Sequence, residues 1–164
     1  MKSLILLLAS VAFSLQLSAA CVSNKHEFEE NKNGTVIDKK SQLMWMKCSL
    51  GTTWENNTCT GSALKYDWKS AVYGVNILNE YTAPGGHNDW RLPTAKELET
   101  IVASNCINPA IDQMAFPATR PSGYWSITED ASYNLGAYLV FFLHGKPYLS
   151  NKQAEWYVRL VRNL

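Results

Sequence analysis

The chain has 164 residues, with 15 Lys and Arg against 14 Asp and Glu. That length suits one domain behind a targeting segment. The near-zero net charge argues against duplex nucleic acid as the partner, because such a partner requires a basic face. Six Trp and eight Tyr form a heavy aromatic load, which can fill a small core or line a recognition surface.

Residues 1–20 have the pattern of a secretory signal peptide. Lys2 precedes an apolar run, and the small residues SAA end the segment as a cleavage site. Removal of the segment leaves equal numbers of acidic and basic side chains, since Lys2 is its single charged residue. We therefore predict an exported bacterial protein, periplasmic or at the cell surface, with a polar arm at 21–33 and a domain at 34–164.

Four cysteines follow the predicted cleavage site, and two interpretations are open for the first of them, Cys21. Cys48 and Cys59 enclose a short loop rich in Gly, Asn and Thr, and Cys21 can pair with Cys106, so that every cysteine is used in an oxidising compartment. Lipidation of Cys21 is the alternative. It would make an outer-membrane lipoprotein and leave Cys106 free, and only then do we expect membrane contact. Serine stands three positions before Cys21, where a lipobox favours leucine.

The segment after the arm predicts a β-hairpin. Apolar and β-branched residues occupy 35–38 and 43–47, on either side of a polar turn. The Gly-, Thr- and Asn-rich stretch at 49–58 is expected to be a loop.

Two helices are predicted next, each with an N-terminal cap. Asp67 precedes apolar residues at helical spacing. Thr94 and Glu97 have the spacing of a capping box, before a helix that reaches about residue 104. The stretch 107–123 contains three prolines and no clean period, so we expect an ordered loop.

Aromatic and β-branched runs dominate the last third of the chain. YWSI, AYLVFF and EWYVRLVR are separated by the polar segments TEDASYNLG and HGKPYLSNKQ and predict an antiparallel β-meander. The closing strand at 157–162 is expected to pair with the strand at 43–47, because the ends of a domain commonly lie close together. A hairpin, two helices and a meander predict an α+β domain.

The segment NDWRLPTAKEL leads from a turn into the second helix. We predict that Trp90 and Arg91 are buried framework residues, with Trp90 in the core between the helices and Arg91 bound to loop carbonyls or a carboxylate. Pro93 stiffens the helix entry. Trp125 also belongs to the framework, and Arg159 is expected to form a structural hydrogen-bonded pair. An Arg91 that faces a ligand is the alternative.

Six motifs occur in one order and together resemble a known family. They are GTVIDKKSQLMWMKC, the Trp and Ala of the first helix, NDWRLPTAKEL, NPAID with a following FP, YWSI and YVRLVR. From about Gly34 to Arg162 the chain is similar to the Lcl C-terminal domain family, named for the end module of a bacterial collagen-like adhesin. The resemblance implies a C-type-lectin-like fold, related to formylglycine-generating enzymes. It also implies a secreted module that binds glycans. The named member of the family binds sulfated polysaccharides.

The candidate ligand-binding side chains lie between residues 133 and 152. Tyrosine faces stack on sugar rings, while Asn, His and Lys add hydrogen bonds and charge. Basic residues outnumber acidic ones between 144 and 162, which gives a modest positive patch. The alternative is that Tyr138 is a core residue and the lysines are only solvated. The candidates are Tyr133, Asn134, His144, Lys146, Tyr148, Asn151 and Lys152.

No motif of a catalytic or metal site stands out. The histidines are far apart, C-x-x-C, G-x-S-x-G and phosphate-binding glycine motifs do not occur, and the loop acids match no calcium motif. We therefore predict a non-catalytic recognition module without metal or cofactor, whose partner is a glycan or a surface protein. The alternative is an enzyme on a formylglycine-generating-enzyme-like scaffold. A receptor-binding protein that diversifies its C-terminal meander is a third option.

Overall fold

The computed structural model describes residues 20–24, 27–81 and 84–164; except for Ala20, the predicted signal peptide lies outside them. The α-helices are α1 (Trp68–Glu80) and α2 (Ala95–Thr100), with a 3₁₀ turn at Pro84–Gly86 between them. The described residues form an α+β domain, as predicted. The strands are β1 (Phe28–Glu30), β2 (Thr35–Asp38), β3 (Leu43–Met46), β4 (Thr53–Glu55), β5 (Thr58–Thr60), β6 (Gly123–Glu129), β7 (Gly136–Phe141), β8 (Lys146–Asn151) and β9 (Val161–Asn163).

The two ends of the domain meet in one antiparallel sheet with the order β1-β2-β3-β9. β2 and β3 form the predicted hairpin, and Met44 of β3 lies opposite Arg162 of β9. The predicted pairing of the ends is therefore confirmed. β9 begins at Val161 rather than at residue 157, because the preceding residues form single bridges to other segments instead of a continuous ladder.

The meander consists of β6, β7 and β8 in that order. β8 lies in HGKPYLSNKQ, which we expected to separate two strands of the meander, and EWYVRLVR is not the third strand of this sheet, so that part of the prediction was wrong. Its sequence KPYLSN contains Pro147 and lacks a clean polar–apolar alternation. Proline is tolerated here because β8 is an edge strand, where a backbone N–H is not required on the outer side.

The predicted loop between the second and third cysteines contains a further hairpin, β4–β5, so that prediction was also wrong. Asn56 and Asn57 form its two-residue turn, with φ values of 50° and 60°. Asparagine tolerates this left-handed conformation better than most residues, which makes it common in two-residue hairpin turns.

Both helices have the predicted caps. Asp67 accepts a hydrogen bond from the Ser70 N–H, and Thr94 forms a complete capping box. α2 ends at Thr100 rather than near residue 104, because the chain leaves the helical conformation and Val102 bridges to another segment. Within the described ranges, neither helix is long and apolar enough to cross a membrane.

The core consists of two clusters, to which both large sheets contribute. Successive residues of one strand enter different clusters: Trp45 and Tyr124 lie in the first, Met46 and Trp125 in the second. A strand with both faces buried needs no polar alternation, which explains the continuous apolar run of β3.

Two disulfides attach peripheral segments to this core. Cys21 is bonded to Cys106 with Cα atoms 5.9 Å apart, and Cys48 to Cys59 with Cα atoms 5.5 Å apart. All four cysteines are paired as predicted. The first disulfide tethers the arm. The arm also contains β1, which pairs with β2 of the domain. Two disulfides in a domain of this size are typical of an oxidising compartment.

Candidate functional site

The Trp-Arg segment before α2 connects the core to the closing strand. Trp90 is 2% exposed and lies in the second core cluster. Arg91 pairs with Val161 through the backbone. Its guanidinium donates hydrogen bonds to Glu97 at 2.7 and 2.8 Å and to Asn163 Oδ1 at 2.8 Å. The predicted carboxylate partner of Arg91 is therefore Glu97.

Glu97 serves both the helix and the arginine. Its backbone N–H donates to Thr94 Oγ1, while its carboxylate accepts from the Thr94 N–H at 2.7 Å. Burial alone would raise the pKa of Glu97, but hydrogen bonds from Arg91 and Thr94 outweigh burial and hold the pKa below its ordinary value. The Arg91 side chain is 37% exposed. It is a framework contact at the surface, and not the buried residue that we expected.

Pro93 and Trp125 also have framework contacts. The Pro93 carbonyl accepts a hydrogen bond from the Ile127 N–H at 2.8 Å. Trp125 is fully buried, and its indole N–H donates to the Tyr66 carbonyl at 2.8 Å. Both residues thus hold β6 against neighbouring segments.

Arg159 is fully buried and is held by carbonyls and aromatic rings. Its guanidinium donates to the Met46 and Lys47 carbonyls and to Thr119 Oγ1. It lies 4.8 Å from the centre of the Phe116 ring. Desolvation lowers the pKa of Arg159 below its ordinary value. Its role is structural, but it bridges several segments rather than forming the single pair that we expected.

The candidate ligand-binding residues divide between the two ends of hairpin β7–β8. Gly136 pairs with Asn151 and Phe141 with Lys146, so the ends lie roughly 17 Å apart along the strand. We call residues 129–135 with 151–152 the loop end, and residues 141–148 the turn end. Tyr133, Asn134, Asn151 and Lys152 lie at the loop end; His144, Lys146 and Tyr148 lie at the turn end.

At the loop end, Lys152 is bound by its neighbours. Its Nζ lies 2.5 Å from Glu129 Oε2 and 2.8 Å from the Asn134 carbonyl. It also lies 4.7 Å from the centre of the Trp68 ring. The side chain is only 18% exposed. These contacts occupy the ammonium, so we assign Lys152 to the framework.

The tyrosines of the loop end are held as well. The Asn151 amide donates to the Tyr133 hydroxyl at 3.0 Å, and the Tyr138 hydroxyl donates to Asp130 at 2.8 Å. Hydrogen bonds from Ser132 and then Tyr138 lower the pKa of Asp130. The loop end is therefore a hydrogen-bonded network, in which Tyr138 lies half-buried between core and surface.

At the turn end, four rings surround a groove of about 260 Å³ that we call the aromatic groove. Phe141 stacks on His144 with ring centres 5.7 Å apart, and Tyr148 lies 5.6 Å from His144. Trp156 packs edge-on against Phe141, with ring centres 5.8 Å apart. The remaining lining residues are Leu139, Leu149 and Ser150.

Polar atoms edge the aromatic groove. The Tyr148 hydroxyl and His144 Nε2 are 3.3 Å apart, and the Trp156 indole N–H donates to Ser150 Oγ at 2.9 Å. Lys146 is exposed beside the groove, and its ammonium makes no ion pair with any described residue. Among all the residues that the structure describes, no group of three His, Cys, Asp or Glu side chains is placed to hold a metal ion.

Sequence reasoning missed Phe141 and Trp156 as groove residues. Both lie in runs that were assigned to core strands, and no local spacing links them to Tyr148. The rings come together only because β7 pairs with β8 and because the chain passes back beside Phe141 at Trp156.

A comparison with known families gives one match. The sequence profile of the Lcl C-terminal domain matches residues 34–162, nearly the span over which the six motifs occur. A comparison with curated proteins found no match. Because the family match covers most of its length, the chain belongs to the Lcl C-terminal domain family.

Proposed function

We propose that the domain is an exported, non-catalytic recognition module that binds a glycan in the aromatic groove. The observation that carries the proposal is the groove itself, in which four aromatic rings lie next to the hydroxyls of Tyr148 and Ser150. Aromatic faces pack against the C–H face of a sugar ring, and polar groups at the rim bind its hydroxyls. Family membership supports a binding role, since the named member is an adhesin module.

Lys146 supplies the charge for this site. An exposed ammonium beside the groove attracts a sulfate or carboxylate group of a glycan, with a strength that falls as salt rises. Lys65 is a second nearby ammonium, 6.0 Å from the centre of the Trp156 ring. We also propose that the domain has a C-type-lectin-like fold; the terminal strands that share one sheet and the meander that follows two helices support this proposal.

A glycan array tests the proposal with the mature protein, Tyr148→Ala and the matched control Tyr133→Ala. The wild type should bind a subset of glycans. Loss of the Tyr148 ring should weaken binding by roughly tenfold, the size of one aromatic contact. Tyr133→Ala should bind like the wild type because Tyr133 lies at the loop end. Binding to no glycan, or equal losses in both variants, would reject the proposal.

We further propose that Cys21 is disulfide-bonded in the exported protein and carries no lipid. Its Sγ is bonded to Cys106, and a thioether-linked lipid would need the same sulfur. Intact-mass spectrometry of the exported protein should give the mass of residues 21–164 with both disulfides. A lipid adduct on the N-terminal fragment, or a free thiol at Cys106, would show that the lipoprotein alternative holds.

A further inference from the structure

A second pocket lies between the arm and hairpin β4–β5, away from the aromatic groove. It has a volume of about 400 Å³, and four separate segments form its walls. We call it the Trp54 pocket. The residues that matter for its chemistry are Glu30 and Lys32 from the arm, Trp54 and Asn57 from the hairpin, Gln113 from the long loop, and Lys47.

Lys47 is a buried charged group in this pocket. Its side chain is 3% exposed, whereas its partner Glu30, 2.7 Å away, is 48% exposed. The ammonium also lies 4.4 Å from the centre of the Trp54 ring. An ammonium has three donors. One N–H donates to Glu30, and another faces the Trp54 ring. No other described residue accepts a hydrogen bond from Lys47 Nζ. Since a buried donor gains from an acceptor, the pocket offers a donor to a ligand oxygen.

Glu30 and Trp54 supply an acceptor and an apolar face. Lys47 binds Glu30 Oε2, and among the described residues no donor contacts Glu30 Oε1. The Trp54 ring is fixed because its indole N–H donates to the Lys32 carbonyl at 3.0 Å. A neighbouring donor and acceptor match two adjacent hydroxyls of one ring, and the part of the Trp54 ring that lines the pocket beside Lys47 offers an apolar surface to its C–H groups. Glu30 neutralises Lys47, and the exposed Lys32 is the remaining charged residue of the lining.

Each disulfide has a neighbour among the residues that line the Trp54 pocket. Cys59 is opposite Trp54 in the β4–β5 register, and its partner cysteine follows Lys47 in the sequence. The Cys21 carbonyl accepts a hydrogen bond from the Gln113 N–H at 2.8 Å. The Cys48–Cys59 disulfide thus joins the strand beside Trp54 to the residue next to Lys47, which reduces the entropy lost when a ligand is bound.

We propose that the Trp54 pocket binds a pyranose ring and is a second binding site of the domain. The site is independent of the aromatic groove and stands whether or not the groove binds a glycan.

The test uses the disulfide-bonded mature protein labelled with 5-fluorotryptophan, whose six tryptophans are followed by fluorine NMR. The Trp54 resonance is assigned with Trp54→Phe. The probes are the methyl glycosides of glucose, galactose, mannose and N-acetylglucosamine, with open-chain sorbitol as the control. At least one glycoside should shift the Trp54 resonance saturably, and sorbitol should not.

Two variants examine the chemistry of the site. Lys47→Met retains the side-chain size without the ammonium and should weaken binding about tenfold, as expected for one hydrogen bond from a charged donor. Glu30→Gln, at a half-exposed position that the fold tolerates more easily, should also weaken binding. Lys40→Met, in the exposed β2–β3 turn, should leave binding unchanged.

The proposal is overturned if no glycoside shifts the Trp54 resonance up to roughly 100 mM, where a millimolar site is saturated. Undiminished affinity in both Lys47→Met and Glu30→Gln also overturns it. A shift confined to the Trp156 resonance supports the aromatic groove and overturns the Trp54 pocket, so the two sites are judged separately.

Discussion

The loop end and the turn end of hairpin β7–β8 carry similar side chains and use them differently. Each end has a tyrosine and a lysine. Lys152 at the loop end binds Glu129 and a backbone carbonyl, whereas Lys146 and Tyr148 at the turn end are exposed. Residue type alone therefore does not mark a recognition surface. The polar atoms of such a surface must be left available by the rest of the fold.

Arg159 is the extreme case of a charged side chain held inside the protein, where its Nη atoms donate to three acceptors, and its loss should have the largest effect. Arg159→Met removes every donor and leaves the Met46 and Lys47 carbonyls without those hydrogen bonds. The free energy of unfolding should fall by about 3 kcal/mol, since each unpaired buried acceptor costs about 1 kcal/mol or more. Urea unfolding followed by tryptophan fluorescence measures the change.

Arg162→Met is the matched control for Arg159→Met. Arg162 pairs with Asp89, whose side chain is 55% exposed, so its loss should cost about 1 kcal/mol or less. Equal losses in the two variants would show that burial of the guanidinium is not what stabilises the domain.

The two lysines of hairpin β7–β8 should differ in their effect on stability. Lys152→Ala removes the contacts with Glu129, the Asn134 carbonyl and the Trp68 ring and should lower the free energy of unfolding by about 1–2 kcal/mol. Lys146→Ala should change it by no more than about 0.5 kcal/mol, as is usual at an exposed position. Parallel urea curves provide the measurement. Equal urea midpoints for Lys152→Ala and Lys146→Ala would show that the two ends of the hairpin do not differ in how their lysines stabilise the fold.

The Arg91–Glu97 contact should give a smaller effect that depends on pH. The pKa of Glu97 in the folded state lies below its ordinary value, so the ionised carboxylate stabilises the fold at neutral pH. This stabilisation is lost as pH falls from about 4.3 through the lower pKa of the folded state. Glu97→Gln should cost about 1 kcal/mol at neutral pH, since both partners are partly exposed and solvent screens the pair.

Urea midpoints of the wild type and Glu97→Gln, measured from neutral to acidic pH, check this prediction. The difference between them should shrink with acid. Glu99→Gln, at an exposed position of the same helix, should show no such trend. A difference between the wild type and Glu97→Gln that stays constant with pH would assign the effect to something other than the carboxylate charge.

Local signals predicted much of the framework, and long-range contacts decided the rest. The two helix caps and the first hairpin depend on residues that are close together in the sequence, so their patterns could be recognised from the sequence alone. β8 was missed because Pro147 obscures a strand that exists only through pairing with β7. Lys152 could not be separated from Lys146, because its partner Glu129 is 23 residues away in the sequence.

The most direct test of the different roles of the two ends is retention on a heparin column, with heparin as a polyanionic glycan probe. Lys146→Ala should elute at lower salt than the wild type, because the free ammonium beside the aromatic groove is lost. Lys152→Ala, run at a temperature where it is folded, should elute with the wild type. A wild type that is not retained, or a Lys152→Ala variant that elutes as early as Lys146→Ala, would contradict the assignment of recognition to the turn end.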